Sequence, residues 1–209
     1  MKRIKEIMKK QIIKDDYYNG HPLSPDAHGE GFNANHLKAI DSCLQNALEE
    51  YSRGLVVMTE LNTPVDYGVR GNQAFSNAMD YCQRIFKRQD WKPHYIATRE
   101  ERNGHQHYHL VTVVDNSKVA SPYRIQEAYA KEFERQLGFS DGANHGYMND
   151  CTRDRFGNRQ PNSYVVSRGD TQAFDKAFQR ASYLAKVYSK SSAGRVLFRS
   201  LGDSRHEPK

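Results

Sequence analysis

The amino-acid sequence predicts an α+β domain in which a central antiparallel β-sheet is flanked by helices. Two observations support this: apolar residues recur at helical spacing in four segments, and two β-rich runs are joined by a short Asn103-Gly104 turn. A hairpin makes neighbouring strands antiparallel, and helices between the strands then cover the sheet. The expected order is helix, strand, helix, hairpin, helix, strand, helix.

Each element follows from a local pattern. Helices are predicted where apolar residues fall on one face, with Pro122 at a first helical position and Asp170 as a cap. Strands are predicted where β-branched and aromatic residues are bounded by turn residues. The predicted helices span residues 35–51, 72–87, 122–137 and 171–190, and the predicted strands span residues 55–61, 94–101, 105–114, 164–166 and 195–198. We expect residues 1–33 to form a basic N-terminal arm, 34–200 the domain and 201–209 a C-terminal tail.

Composition favours an anionic partner and a reducing compartment. The 31 Lys and Arg residues exceed the 25 Asp and Glu residues and give a formal net charge of +6, which suits nucleic acid. Cys43, Cys82 and Cys151 are odd in number and far apart, so we expect no disulfide framework. No apolar run is long enough to span a membrane, so we expect a cytoplasmic protein with no membrane partner.

Three histidines, His105, His107 and His109, alternate along one predicted strand and therefore project from one face. Two imidazoles at this spacing are close enough to share a divalent cation, although an ordinary polar sheet face has the same pattern. The short turn before this strand pairs its beginning with the end of the preceding strand. Glu100 or Glu101 should therefore lie beside the histidines.

Tyr183 and Lys186 are three residues apart in the fourth predicted helix and should share a face. A phenol with its usual pKa of about 10 is a poor nucleophile, but it becomes effective when a metal polarises a phosphodiester. Tyr188, with Lys190 nearby, is the alternative nucleophile. It lies about 140° around the helix from Tyr183, so the two tyrosines cannot both face one site well.

His107-Tyr108-His109, followed by an apolar run, resembles the histidine-hydrophobic-histidine (HUH) motif of rolling-circle replication initiators. Tyr183-Leu184-Ala185-Lys186 is similar to the Tyr-x-x-Lys motif of their single-tyrosine members, and residues 56–62 stand where their first strand motif would be. The resemblance covers about residues 50–200. It is strongest to the replication proteins of filamentous phages (inoviruses), which also end in a Gly-x-Ser-Arg segment like Gly202-Asp203-Ser204-Arg205.

The resemblance implies a HUH endonuclease fold, a divalent metal and a nicking reaction. His107 and His109 would bind Mg²⁺ or Mn²⁺, with Glu100 completing the ligand set. Tyr183 would attack the scissile phosphate of single-stranded origin DNA, leaving a 5′-phosphotyrosine and a 3′-OH that primes synthesis. Lys186 would orient or neutralise that phosphate.

Several alternatives accompany this assignment. His105 and His107 form a second candidate pair, and Glu101 is the second candidate for the third ligand. His105, Arg99 and Lys190 are expected to contact DNA. The loop over residues 139–162 mixes positive charge with aromatic rings, a composition that suits either single-strand binding or a solvated loop. The residues concerned are Arg153, Arg155, Arg159, Tyr147 and Phe156.

The resemblance also implies partners. No Gly-x-x-x-x-Gly-Lys-Ser/Thr phosphate loop is present to drive unwinding, so a host helicase and DNA polymerase are expected in the bacterial cytoplasm.

The alternative functions are a transposase or relaxase of the same fold, a non-catalytic DNA-binding regulator, and a zinc-dependent hydrolase.

Overall fold

The structure is a computed structural model that confirms the α+β prediction. It describes residues 11–67, 71–102, 105–139, 146–154, 156–187 and 196–199, with the backbone alone for Asp66, Arg102, His105 and 196–199.

Regular elements cover most of the described chain. The α-helices are α1 (Ala34–Glu50), α2 (Gln73–Arg88), α3 (Pro122–Gln136) and α4 (Thr171–Ala181). The strands are β1 (Ile12–Ile13), β2 (Tyr17–Tyr18), β3 (His21–Pro22), β4 (Phe32–Asn33), β5 (Arg53–Asn62), β6 (His94–Arg102), β7 (His105–Asp115), β8 (Met148–Asn149), β9 (Ser163–Ser167) and β10 (Val196–Arg199). Short 3₁₀ helices span Val65–Tyr67 and Ser182–Ala185.

The central sheet is antiparallel throughout its described pairings. Its order is β10-β6-β7-β5, and β8 and β9 both pair with β5 at different points along that strand. The β6–β7 hairpin is the one predicted from the sequence, and β10 lies beside β6. The long strands β5 and β7 therefore lie side by side at the centre.

Alternation along the strands creates two apolar layers. Helices α1 and α4 pack on a face that includes Val56, Met58, Ile96, Val111 and Val113, which we call the α1/α4 face. Helices α2 and α3 pack on the opposite α2/α3 face, which includes residues such as Val57, Ala97, Tyr108 and Leu110. Each strand residue can therefore be assigned to one layer.

The fourth helix is shorter than the prediction of residues 171–190. Its α-helical part ends at Ala181 and continues as the 3₁₀ turn Ser182–Ala185, and the backbone then becomes extended at Lys186 with ψ 137°. The predicted cap is confirmed, since the Asp170 side chain accepts a hydrogen bond from the backbone N–H of Ala173. Residues 188–190 lie outside the described part of the chain.

Contacts with the N-terminal segment explain this early end. The Ser182 hydroxyl donates to the carbonyl of Gln179 at 2.7 Å and accepts from the backbone N–H of Ser24 at 2.8 Å. Further along, the N–H of Val187 donates to the carbonyl of Gly31 at 3.0 Å. The bonds to Ser24 and Gly31 are tertiary, and the one from Val187 takes the place of a helical bond, so the chain leaves the helix axis after the 3₁₀ turn.

The N-terminal segment, residues 21–33, packs against the domain through buried apolar side chains. Leu23 is 5% exposed and Phe32 is 2% exposed, and both belong to the α1/α4 layer. Phe32 also pairs with Lys186 in an antiparallel bridge. Residues 1–10 of the predicted basic arm lie outside the described residues.

The cysteines are unpaired, as expected. Cys43, Cys82 and Cys151 are buried thiols, and burial raises the pKa of each to about 12. Within the described ranges, no helix is both long and apolar enough to cross a membrane.

Candidate active site

Four polar side chains share the α1/α4 face near one end of the central strands. They are Glu60 on β5, Glu100 on β6, and His107 and His109 on β7. Residues directly opposite each other in an antiparallel pair point to the same face. Glu60 is opposite His109, and Glu100 is opposite His107, so a glutamate flanks the histidines on each side.

The glutamates contact the histidines directly. Nδ1 of His107 lies 3.3 Å from Oε1 of Glu60, and Nδ1 of His109 lies 3.7 Å from Oε2 of the same carboxylate. On the other side, Nε2 of His109 lies 3.3 Å from Oε2 of Glu100. Glu60 therefore bridges the two histidines, and His109 lies between the two glutamates.

The site is largely shielded from solvent. The side chain of His109 is 13% exposed and that of Glu100 is 7% exposed. Burial raises the pKa of Glu60, but the hydrogen bond with His107 and the charges of His109 and His107 outweigh it, so the pKa lies below its usual value. Glu60 is therefore a carboxylate at neutral pH.

The register also decides between the two neighbouring glutamates. Glu101 is opposite Gln106, so its side chain points to the α2/α3 face, where it forms an ion pair with Arg99 at 2.9 Å. The structure therefore brings neither Glu101 nor Arg99 to the histidines. The His105 side chain and Lys190, two other expected DNA contacts, lie outside what the structure describes, as does Tyr188.

Glu60 is the site residue that sequence reasoning missed. Its strand was identified as a motif position, but no local pattern marks this glutamate as a partner of the histidines. A signal was present in the sequence. Val56, Met58 and Glu60 alternate and so share one strand face, on which an acidic residue follows apolar ones. In the histidine strand, polar residues likewise adjoin apolar ones on one face.

The donor set suits a divalent cation chemically. Two imidazoles and two carboxylates are ordinary ligands of such ions. Two ligand atoms at about 2.1 Å from one ion lie about 3.0 Å apart in octahedral and about 3.4 Å apart in tetrahedral geometry, and both 3.3 Å nitrogen–oxygen distances fall in this range. Yet no three His, Cys, Asp or Glu side chains of the described residues are already arranged to hold an ion. Binding would require these side chains to rotate.

Two buried polar atoms border the same site. Thr98 is opposite His109, and its Oγ1 is buried without a hydrogen-bond partner among the described residues. Asn62 is opposite His107, and its Oδ1 is likewise buried without a partner in that part of the chain. Such atoms normally bind a neighbouring polar group, so the edges of the site suit ligands with donors, such as metal-bound water.

Tyr183 joins the site from the 3₁₀ turn after α4. Its ring packs edge-on against the His109 ring, with centroids 5.4 Å apart and planes at 70°. The predicted nucleophile and the predicted metal-binding strand are 74 residues apart in sequence and in contact in the structure. The arrangement places a phenol beside an imidazole–carboxylate cluster.

Lys186 lies over Tyr183. Its Nζ is 4.8 Å from the centre of the tyrosine ring and donates to the carbonyl of Pro25 at 2.6 Å. In a 3₁₀ turn, residues i and i+3 are nearly eclipsed, which accounts for the stacking of Lys186 on Tyr183. The N-terminal segment therefore holds the lysine that packs on the candidate nucleophile.

Comparison with known proteins identifies a family. The model of the YagK/YfjJ C-terminal domain matches residues 13–135, more than half of the 209-residue chain. The chain belongs to this family. No curated protein and no solved structure matches the chain.

The YagK/YfjJ C-terminal domain is a different family from the replication initiators whose motifs the sequence resembles, and its description names no activity. Its matched region includes β5, β6 and β7, and therefore Glu60, Glu100, His107 and His109. The match ends before α4, so Tyr183 lies outside it.

Proposed function

We propose that this member of the YagK/YfjJ family is a metal-dependent, single-tyrosine enzyme that nicks and rejoins single-stranded DNA. The observation that carries the proposal is the 5.4 Å contact between the rings of Tyr183 and His109. It joins a candidate nucleophile to a partly buried cluster of two imidazoles and two carboxylates. This combination matches the chemistry that a phosphodiester requires, namely a nucleophile beside a site for a polarising cation.

In the proposed reaction, His107, His109 and Glu100 would hold Mg²⁺ or Mn²⁺, with the Glu60 carboxylate against both histidines. The ion would supply Lewis-acid polarisation of the scissile phosphate. Oη of Tyr183 loses its proton and forms a bond to phosphorus. The bond from phosphorus to O3′ breaks, and O3′ gains a proton. The products are a 5′-phosphotyrosine and a 3′-OH, and the reverse attack reseals the strand without ATP.

The proposed biological role is initiation of rolling-circle replication at a single-stranded origin, in the cytoplasm of a bacterial cell. A host helicase and a DNA polymerase are the partners this role requires. A transposase or relaxase would use the same reaction on a different DNA target.

A covalent-adduct assay tests the catalytic proposal. The protein is incubated with Mn²⁺, supercoiled DNA and a pool of randomised single-stranded oligonucleotides, and a DNA adduct resistant to SDS is sought on a denaturing gel. We expect an adduct with the wild type, none with Tyr183→Phe, and an undiminished adduct with the control Tyr123→Phe on α3. Absence of a wild-type adduct, or equal adduct with Tyr183→Phe, would refute the proposal.

A non-catalytic DNA-binding regulator is the second candidate. It is favoured by one observation: the histidines and glutamates already contact each other, and the described residues include no group arranged for a metal. Such a protein would bind DNA equally well in EDTA and in Mn²⁺ and would form no adduct under either condition.

A further inference from the structure

A short β-hairpin projects from the strand pair at the candidate active site. Its described residues are 151–154 and 156–160, and we call it the arginine hairpin because Arg153 and Arg159 face each other across it. It begins two residues after Asn149, which is paired with Glu60 and has its Nδ2 3.5 Å from Oε2 of that glutamate. The root of the hairpin is therefore tied to the site.

The hairpin is held in one conformation by its own hydrogen bonds. The Asp154 carboxylate accepts from the backbone N–H groups of Phe156 at 2.8 Å and Asn158 at 2.9 Å. The Gln160 side chain donates to the carbonyls of Cys151 at 3.2 Å and Arg153 at 2.8 Å. These bonds connect the tip to the root, so the hairpin presents its side chains from a fixed frame.

Two like charges are directly opposite each other in this frame. The backbone bonds from Gln160 N to Thr152 O and from Asp154 N to Asn158 O flank the pair of arginines. That pattern makes Arg153 and Arg159 a non-hydrogen-bonded pair, the type in which side chains are closest. Like charges in this position are destabilising. Neither arginine forms an ion pair with an acidic residue in the described part of the chain, so an external anion would relieve the repulsion.

An exposed aromatic ring stands at the tip. Phe156 is 74% exposed, the highest value among the exposed large apolar residues of the described chain. It is five residues from the hairpin root, a reach of at most about 16 Å. An exposed ring at the tip of a hairpin that also carries two arginines is a combination that suits single strands, where rings stack on bases and arginines contact phosphates.

We propose that the arginine hairpin binds the single-stranded DNA that enters the active site. Arg153 and Arg159 contact successive phosphates, and a base stacks on Phe156. Single-stranded DNA is the occupant, because a duplex hides its base faces from an aromatic ring. The inference rests on the proposed function for the identity of the strand.

Binding in EDTA tests this inference without any catalytic step. Fluorescence anisotropy is measured for the full chain with a fluorescein-labelled oligothymidine and with a labelled duplex of the same length. We expect Phe156→Ala to weaken binding to the single strand about 5- to 100-fold. Its matched control, Tyr123→Ala, removes an aromatic ring that is 59% exposed on α3, and should change affinity less than about twofold.

Salt dependence tests the arginines. Replacing both Arg153 and Arg159 with Gln should reduce the slope of log K against log salt by about 1.4, since each phosphate contact to a single strand contributes about 0.7. Replacing both with Lys should retain the slope. The control Lys87→Gln/Arg88→Gln, at the end of α2, removes two exposed cations and should leave the slope unchanged.

The outcomes distinguish failure of the hairpin proposal from failure of the catalytic proposal. An unchanged slope in the double Gln variant, an unchanged affinity in Phe156→Ala, or tighter binding to the duplex would overturn the hairpin proposal. If that happens while Tyr183 still forms an adduct in Mn²⁺, the proposed function stands. If the hairpin variants lose binding but no adduct ever forms, the hairpin proposal stands and the catalytic one fails.

Discussion

Replacing Glu60 with Gln should weaken divalent metal binding, because this carboxylate contacts both histidines. The substitution keeps the shape and one carbonyl oxygen of the side chain but removes its negative charge. His107 and His109 then lose the group that lies 3.3 and 3.7 Å from their Nδ1 atoms. The orientation of both imidazoles and the local negative potential change together.

The expected size of this effect follows from those contacts. If Glu60 only orients the histidines, Mn²⁺ affinity should fall about 10- to 100-fold, which is about 1.4 to 2.7 kcal/mol. A larger loss of Mn²⁺ affinity would indicate that Glu60 is itself a metal ligand. Isothermal titration calorimetry with Mn²⁺ measures the affinity, and the adduct assay at saturating Mn²⁺ shows whether activity is restored.

Glu101→Gln is the matched control for this experiment. Glu101 is also a glutamate at the end of a central strand, but it lies on the α2/α3 face and is paired with Arg99. The Glu101→Gln substitution should leave the Mn²⁺ affinity within about twofold of the wild type. If Glu60→Gln binds Mn²⁺ as tightly as the wild type, or if both variants lose affinity equally, the assignment of the metal site to the α1/α4 face is wrong.

Three further outcomes are expected. Lys186→Met should slow adduct formation about tenfold in a gel time course, with an unfolding temperature about 2–4 °C lower by calorimetry, since it removes about one hydrogen bond. Phe75 is 1% exposed, and its ring stacks on Tyr108 with centroids 4.2 Å apart. Phe75→Ala should therefore lower the free energy of unfolding by about 3–5 kcal/mol, as measured by urea unfolding. Because the pKa of Glu60 is lowered, its carboxylate stabilises the fold above the ordinary value of 4.5. The stability difference between wild type and Glu60→Gln should therefore be largest near neutral pH and shrink as the pH falls below 4.5, as urea unfolding at several pH values would show.

Much of the fold could be predicted because its signals are local. The apolar period placed the first helix at residues 35–51, and the structure has it at Ala34–Glu50. The Asn103-Gly104 turn signal was enough to predict that Glu100 or Glu101 lies beside the histidines. The register of β6 and β7 in the structure then places Glu100 opposite His107. Local spacing therefore gave both the hairpin and the face on which its histidines lie.

The remaining features depend on contacts between distant parts of the chain. Glu60 reaches the histidines through the pairing of β5 with β7, and strand order leaves no local mark in the sequence. The end of α4 depends on Ser182 and its hydrogen bond with Ser24, 158 residues away. Propensity alone continues that helix, whereas tertiary hydrogen bonds end it at Ala181.

The packing of the N-terminal segment on the turn that carries Tyr183 has a consequence for synthesis on the ribosome. The segment is made before Ser182 and Lys186, which bind it and follow about 160 residues later, an interval of about 8–30 s at ordinary elongation rates. During that interval Leu23 and Phe32 lack part of the surface that buries them. A nascent chain therefore completes its histidine strand well before it acquires its tyrosine, so the two halves of the site come together only late in translation.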